Sequence, residues 1–254
     1  MTRPFERSTK TQKIFGIHSL FEAIDSGKEL EKVMIDKDLG SGRIKELKDK
    51  LRLHEIPFQL VPKDTLNRLA GPKHQGVLAY GSLVEYSKLE SIIPQCFDQG
   101  KDPFILILDG ITDVRNFGAI ARTADCAGVH AIVIPFKGSA QVNADAIKTS
   151  SGALHSISIC RTQSLKDTVK FLKDSGLVIV AATEKGNSMY HEHELGGPMA
   201  YILGSEELGI STPLLQMADH LVKIPVMGQI GSLNVSVAAG ILMYERLRQT
   251  ESIK

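Results

Sequence analysis

Two apolar rhythms divide the chain. Over residues 14–83, short apolar runs alternate with amphipathic stretches. From Ile14, the residues Ile17, Leu20, Phe21 and Ile24 recur at helical spacing and Gly27 closes the run. Ile44, Leu47 and Leu51 likewise share one helical face, opposite lysines. Val33 to Ile35, Phe58 to Val61 and Val77 to Leu83 read as strands, and Thr65 to Ala70 as a short helix. The order αβαβαβ predicts a small three-layer unit. Beyond residue 103 the pattern changes. Phe104 to Leu108, Ala131 to Ile134, Ser156 to Ile159, Val178 to Ala182, Ala200 to Leu203 and Leu221 to Ile224 are near-continuous apolar runs. Such runs mark strands of a parallel sheet covered on both faces. Helical patterns fall near Ala119 to Ala127, Ala144 to Thr149, Leu165 to Asp174, Pro213 to Ala218 and Leu233 to Arg248. The expected fold class is α/β, with a small αβ domain followed by an open parallel-sheet α/β domain.

The same pattern sets the expected organisation. Residues 1–13 carry Arg3, Arg7, Lys10 and Lys13 against Glu6 and read as a basic flexible arm. Residues 14–83 form the first domain. Residues 84–102 connect, with Pro94, Gly100 and one amphipathic helix around Leu89 to Phe97. Residues 103–254 form the second domain.

Three of its strands run into turns rich in glycine and small polar residues. These turns lie at Asp109 to Gly118, at Gly204 to Gly209 and at Pro225 to Asn234, and Ser205 and Ser232 read as N-caps of the helices that follow. Strand, tight loop and helix start is where an α/β protein places a ligand, so the three loops are expected to converge. In the first domain, the polar loop Gly71-Pro72-Lys73-His74-Gln75-Gly76 offers Lys73, His74 and Gln75 as donors to a phosphate or a base edge. A tight turn with glycine at positive φ is the competing reading of that loop.

Composition narrows the chemistry. Of 254 residues 43% are hydrophobic and 23% charged, an ordinary globular balance, and the net charge of +1 neither announces nor excludes a nucleic-acid partner. Cys96, Cys126 and Cys160 are far apart, so buried thiols are expected rather than disulfides or a zinc site. No apolar run approaches the ~20 residues of a membrane span, and the first residues lack a signal-peptide core, so a cytoplasmic location is expected. His191-Glu192-His193-Glu194 lacks the spacing of a helical zinc motif and reads as a solvated loop, so no metal is expected. G-x-G-x-x-G, G-x-x-x-x-G-K-[ST] and G-x-S-x-G are absent. What remains is a set of backbone-rich loops suited to a ligand held mostly by main-chain groups.

Three stretches carry a resemblance. They are Asn116-x-Gly118-x-x-x-Arg122-x-Ala124-x-x-x-Gly128, Leu203-Gly204-Ser205-Glu206-x-x-Gly209, and Ile224-Pro225-x-x-Gly228-x-x-x-Ser232-Leu233-Asn234-Val235-Ser236-Val237-Ala238. In order and interval they resemble the three signature motifs of the SpoU (TrmH) RNA ribose 2′-O-methyltransferases, over essentially all of residues 103–250. The first domain resembles the RNA substrate-binding domain of the bacterial 23S rRNA guanosine 2′-O-methyltransferase branch, which has a loop similar to Lys73-His74-Gln75-Gly76. Val226 departs from the family, which has Met there, and this bears on local pocket packing.

The resemblance implies S-adenosylmethionine as methyl donor, RNA as partner, a homodimer and a C-terminal trefoil knot, which the general rule on connections would not suggest. By position it makes Leu203, Gly204, Ile224, Ser232 and Leu233 the cofactor-binding set, and Arg122, Asn116, Glu206 and Asn234 the catalytic set. The family assigns deprotonation of the ribose hydroxyl to the motif arginine. A guanidinium with a pKa above ~12 is a poor base. Arg122 therefore suits a donor that stabilises the developing alkoxide and holds the adjacent phosphate, the proton leaving through that phosphate or water. The alternatives are a non-catalytic RNA-binding ribosome assembly factor and a tRNA 2′-O-methyltransferase.

Overall fold

In the computed structural model, which describes residues 12–40, 42–229 and 231–250, the first sheet begins with a strand that apolar spacing did not announce. β1 (Lys13–Phe15) has only Ile14 buried, too short a run for alternation to register. It lies antiparallel to β4 (Val77–Gly81), and the sheet order is β1-β4-β2-β3, with β2 (Leu30–Asp36) parallel to β3 (Phe58–Val61). Helices α1 (Ile17–Asp25) and α2 (Gly42–Leu53) cover one face through Leu20, Ile24, Ile44, Leu47 and Leu51. Helix α3 (Lys63–Ala70) covers the other through Leu66. Each such buried leucine or isoleucine contributes roughly 1.5–3 kcal/mol. Of the expected basic arm, residues 1–11 lie outside the described residues. Lys13 belongs to β1, and its Nζ donates to the Leu69 carbonyl at 2.9 Å.

The chain divides into one compact unit that runs to Glu85 and takes in Val142–Ala144, and a second that holds Tyr86–Gln141 and the chain from Asp145. The stretch 84–102, expected as a connector, carries elements of the second unit. β5 (Tyr86–Ser87) joins its sheet, and α4 (Leu89–Asp98) buries Leu89 and Ile93 in its core. Burial of those two side chains, and the stacking of Arg161 on the Tyr86 ring at 3.8 Å, fix the segment.

The remaining elements follow in order. They are β6 (Phe104–Asp109), α5 (Val114–Cys126), β7 (Ala131–Pro135), α6 (Ala144–Thr149), β8 (Ser158–Thr162), α7 (Leu165–Asp174) and β9 (Val178–Ala182). β10 (Ser188–Met189), β11 (Met199–Gly204), α8 (Thr212–Met217), β12 (His220–Lys223) and α9 (Val235–Thr250) complete the unit. Among the described residues the sheet order is β10-β12-β9-β11-β6-β7-β8-β5, and every neighbouring pair is parallel. The chain winds one way from β6 through β7 and the other way from β11 through α8 to β12. The crevice of this open sheet therefore lies at the C-terminal ends of β6 and β11. Among the described residues no helix is long and apolar enough to cross a membrane.

Two helix starts differ from the pattern. α5 begins at Val114 because Asp113 caps it, its side chain accepting from the Asn116 N–H at 2.8 Å. α9 begins at Val235 because Asn234, not Ser232, is its cap, accepting from the Ser236 N–H at 3.0 Å. Ser205 caps no helix either. Its hydroxyl accepts from the Leu208 N–H at 3.1 Å within a turn, and α8 starts only at Thr212.

Candidate active site

The β6 and β11 loops are tied together at the crevice. Gly204 stands opposite Asp109 in the β11–β6 register, and the Asp109 carboxylate accepts from the Ser211 N–H at 2.8 Å. A Cβ on Gly204 would lie 2.1 Å from the Gly209 carbonyl carbon, so only glycine lets the loop fold back on itself. The Gly209 N–H closes that fold on the Ser205 carbonyl at 2.9 Å.

This turn delivers Glu206 to the start of α9. Its Oε1 accepts from Asn234 Nδ2 at 2.6 Å, from the Val235 N–H at 3.3 Å and from Asn116 Nδ2 at 3.3 Å. Asn234 Nδ2 also donates to Asn116 Oδ1 at 2.9 Å. Asn116 is 90 residues from Glu206 and 118 from Asn234, so three loops far apart in sequence meet in one polar network. A carboxylate at a helix N-terminus is favoured by the helix dipole.

Arg122 stands apart from that network. It is exposed on α5, six residues beyond Asn116 and so about 9 Å further along the helix axis, and its side chain makes no hydrogen bond or ion pair among the described residues. Arg115, two turns earlier on the same face, is also exposed.

Comparison with known proteins fixes what this crevice belongs to. The family model described as the SpoU rRNA Methylase family matches residues 103–244, and the one for RNA 2′-O ribose methyltransferase substrate binding matches residues 13–87. The chain belongs to the SpoU rRNA methylase family. A Staphylococcus saprophyticus protein named as a TrmH family tRNA/rRNA methyltransferase is 36% identical over 240 residues, covering 94% of this chain and 96% of that protein. A Bacillus subtilis protein of the same description is 31% identical over 240 residues, with the same shares covered. The crystal structure of the SpoU methyltransferase AviRb from Streptomyces viridochromogenes, in complex with the cofactor AdoMet, matches with a TM-score of 0.59 at 25% identity. That match covers 94% of this chain and 90% of that one. The chain is accordingly an RNA methyltransferase whose methyl donor is S-adenosylmethionine.

The SpoU crevice fits such a donor by its own chemistry. Leu203 is buried and offers only main-chain atoms, Gly204 and Ile224 are half-buried, and Ser232 and Leu233 are exposed. Among the described residues, no backbone–backbone hydrogen bond uses an N–H from Val226 to Leu233. Val226 and Met227 are 40% and 96% exposed in the same loop. Unspent main-chain donors beside apolar side chains suit a nucleoside, whose ring needs both.

A fourth loop, outside the three motif stretches, also borders the crevice. β9 lies between β11 and β12, so its C-terminal loop, Thr183 to Asn187, falls between the Gly204 and Ile224 loops. Thr183 N–H donates to the Val222 carbonyl at 2.9 Å, and a Cβ on Gly186 would lie 2.6 Å from the Val222 carbonyl carbon. The signal was present as Gly186-Asn187-Ser188 after an apolar run, the same signature as the other loops.

Three expectations are corrected. His74, expected to meet RNA, is 2% exposed and both its ring nitrogens are used. Nδ1 accepts from the Gly76 N–H at 2.8 Å, which leaves the proton on Nε2 to reach Asn67 Oδ1 at 3.0 Å. His74 shapes the loop, while Lys73 and Gln75 are exposed on it. His193 is packed rather than solvated, with Nε2 2.6 Å from Ser188 Oγ and its ring 4.2 Å from that of His220. Burial, then the neighbouring His220, push its pKa below the usual histidine range. Of the thiols, Cys126 is exposed, while Cys160 is buried and pushed up to about 12 by burial and by Glu90, which leaves it inert.

Proposed function

We propose that the chain methylates the 2′-hydroxyl of a ribose in structured RNA, on a guanosine of 23S rRNA, as a cytoplasmic homodimer with a C-terminal trefoil knot. The Asn116–Glu206–Asn234 network carries this reading. It places amide and carboxylate groups at the mouth of the crevice, where a sugar hydroxyl can be oriented by hydrogen bonds.

Bound S-adenosylmethionine supplies an electrophilic methyl group. The chain's own contribution is position and desolvation: the main-chain groups of the β11 and β12 loops hold the nucleoside, and Asn116 and Glu206 orient the sugar. Arg122, free of protein partners among the described residues, offers a guanidinium to an RNA phosphate and to the developing negative charge. Lys73 and Gln75 add RNA contacts from the first unit. Support for a dimer comes from Val237 and Tyr244, two turns apart on one face of α9 and 51% and 49% exposed. The names of the relatives cover tRNA as well as rRNA, so tRNA is the second reading.

The test is a map of methylated riboses in 23S rRNA and tRNA from cells with the chain, without it, or with Arg122→Ala. The expected result is one 23S guanosine that loses its mark in both altered strains, while purified Arg122→Ala keeps its calorimetric affinity for S-adenosylmethionine. A lost tRNA mark selects the second reading, and an unchanged map overturns both.

A further inference from the structure

The hydrogen-bond capacity of the network is unevenly spent. Asn234 is saturated: both protons of its Nδ2 are donated, to Asn116 Oδ1 at 2.9 Å and Glu206 Oε1 at 2.6 Å. Its Oδ1 accepts from the Ser236 N–H at 3.0 Å and from Ser236 Oγ at 2.5 Å. A primary amide has no further donor and no third lone pair, so Asn234 holds its neighbours and offers nothing to a ligand. Asn116 keeps one N–H unspent on its Nδ2.

Glu206 divides between its two oxygens. Oε1 accepts all three donors of the network, from Asn234, Val235 and Asn116. Oε2 takes none among the described residues, and the side chain is exposed at the crevice. One oxygen is therefore clamped and the other left open, which fixes the direction of the free lone pairs. The reaction needs such a group, because a neutral hydroxyl is a weak nucleophile and must shed its proton as it attacks. Among the motif side chains only a carboxylate is basic at neutral pH, and a guanidinium is not.

Resting on the ribose-methylation reading, we infer that Glu206 Oε2 is the proton acceptor of the reaction, with Asn116 Nδ2 orienting the hydroxyl and Asn234 acting as a positioning residue. The 2′-oxygen forms its bond to the methyl carbon as the carbon–sulfur bond breaks and the bonding pair stays on sulfur. The hydroxyl proton passes to Oε2, S-adenosylhomocysteine leaves, and the neutral Glu206 returns its proton to water. Arg122 is then free to hold phosphate and alkoxide charge without also serving as base.

The test is Glu206→Gln in the full-length protein. The amide carbonyl can still accept from Asn234 and Val235, but the amide nitrogen cannot take a proton. The expected result is an S-adenosylmethionine affinity by calorimetry within about threefold of wild type, an unchanged KM for RNA, and a kcat lower by about 10²–10⁴-fold. The acid limb of the wild-type kcat–pH profile disappears in the variant, and Glu206→Asp restores both it and at least part of the rate. Turnover within tenfold of wild type with the acid limb intact overturns the assignment, as does loss of donor affinity, which makes Glu206 structural. A wild-type chain that binds the donor but methylates no ribose overturns the underlying reading instead.

Discussion

At its N-terminal end, α9 meets Glu206 and Asn234, both exposed, and the half-buried Asn116, and one carboxylate oxygen there is without a donor among the described residues. At its C-terminal end the same helix carries Glu245 and Arg246, each only 8% exposed. There Glu245 accepts from Arg248 Nη2 at 2.8 Å, Arg248 Nε at 2.9 Å and Gln249 Nε2 at 2.7 Å. Gln249 also donates to the His193 carbonyl at 3.1 Å and accepts from the Leu195 N–H at 2.7 Å. Arg246 lies over the Phe104 ring at 4.4 Å and donates to the Gly197 carbonyl at 3.3 Å. Both ends use carboxylates, amides and backbone groups. Burial separates their roles, because an unmet polar group is costly inside the protein and nearly free at its surface. At the buried end Arg246 Nε is left without a partner among the described residues and shut away from solvent, whereas the spare capacity at the exposed end is open to a ligand.

The most severe way to break the contrast is Gly204→Ala. Its methyl group meets the Gly209 backbone, not a side chain that can move aside, so the turn carrying Glu206 must shift. Urea unfolding is expected to show a loss of about 3 kcal/mol, together with loss of S-adenosylmethionine binding. Arg246→Ala probes the other end. Removing the buried guanidinium is expected to cost about 2 kcal/mol in the same assay through lost stacking and a lost charged hydrogen bond. Methyl transfer per folded molecule should not change. Reduced turnover with unchanged stability would erase the division between the two ends.

The smallest effect tests the intermediate case. Asp219, whose side chain is 34% exposed, accepts from Lys173 Nζ at 2.6 Å and from the Ile179 N–H at 2.9 Å. Partial burial raises its pKa, but the Lys173 and Ile179 hydrogen bonds outweigh that and hold it below the usual carboxylate value. The stability it adds is present above the ordinary aspartate pKa of about 3.9 and is lost as pH falls through the depressed folded value. Thermal midpoints of wild type and Asp219→Asn should therefore converge as the pH is lowered through that window. A constant gap would show that the carboxylate charge adds nothing.

Much of this was legible in the residues. The long strands β6, β7, β9 and β11 are apolar runs, and helices α6 and α7 lie where their spacing placed them. β1, β5 and β10, two or three residues long, were not, since periods need more repeats than they contain. The motif loops were recognisable from glycine and small polar residues. Local spacing could not tell that His74 turns inward, that Asn234 rather than Ser232 caps α9, or that Arg122 stays outside the network.

What the amino-acid order determined by itself is therefore whatever depends on near neighbours: element type, apolar faces, the glycine turns and the motif intervals. Strand order, and with it the meeting of Asn116, Glu206 and Asn234, was decided only in three dimensions. The unspent hydrogen-bonding capacity of Glu206 and Asn116 depends on partners 28 to 118 positions away. Those partners are brought within reach by burial of the sheet, not by any pattern along the chain.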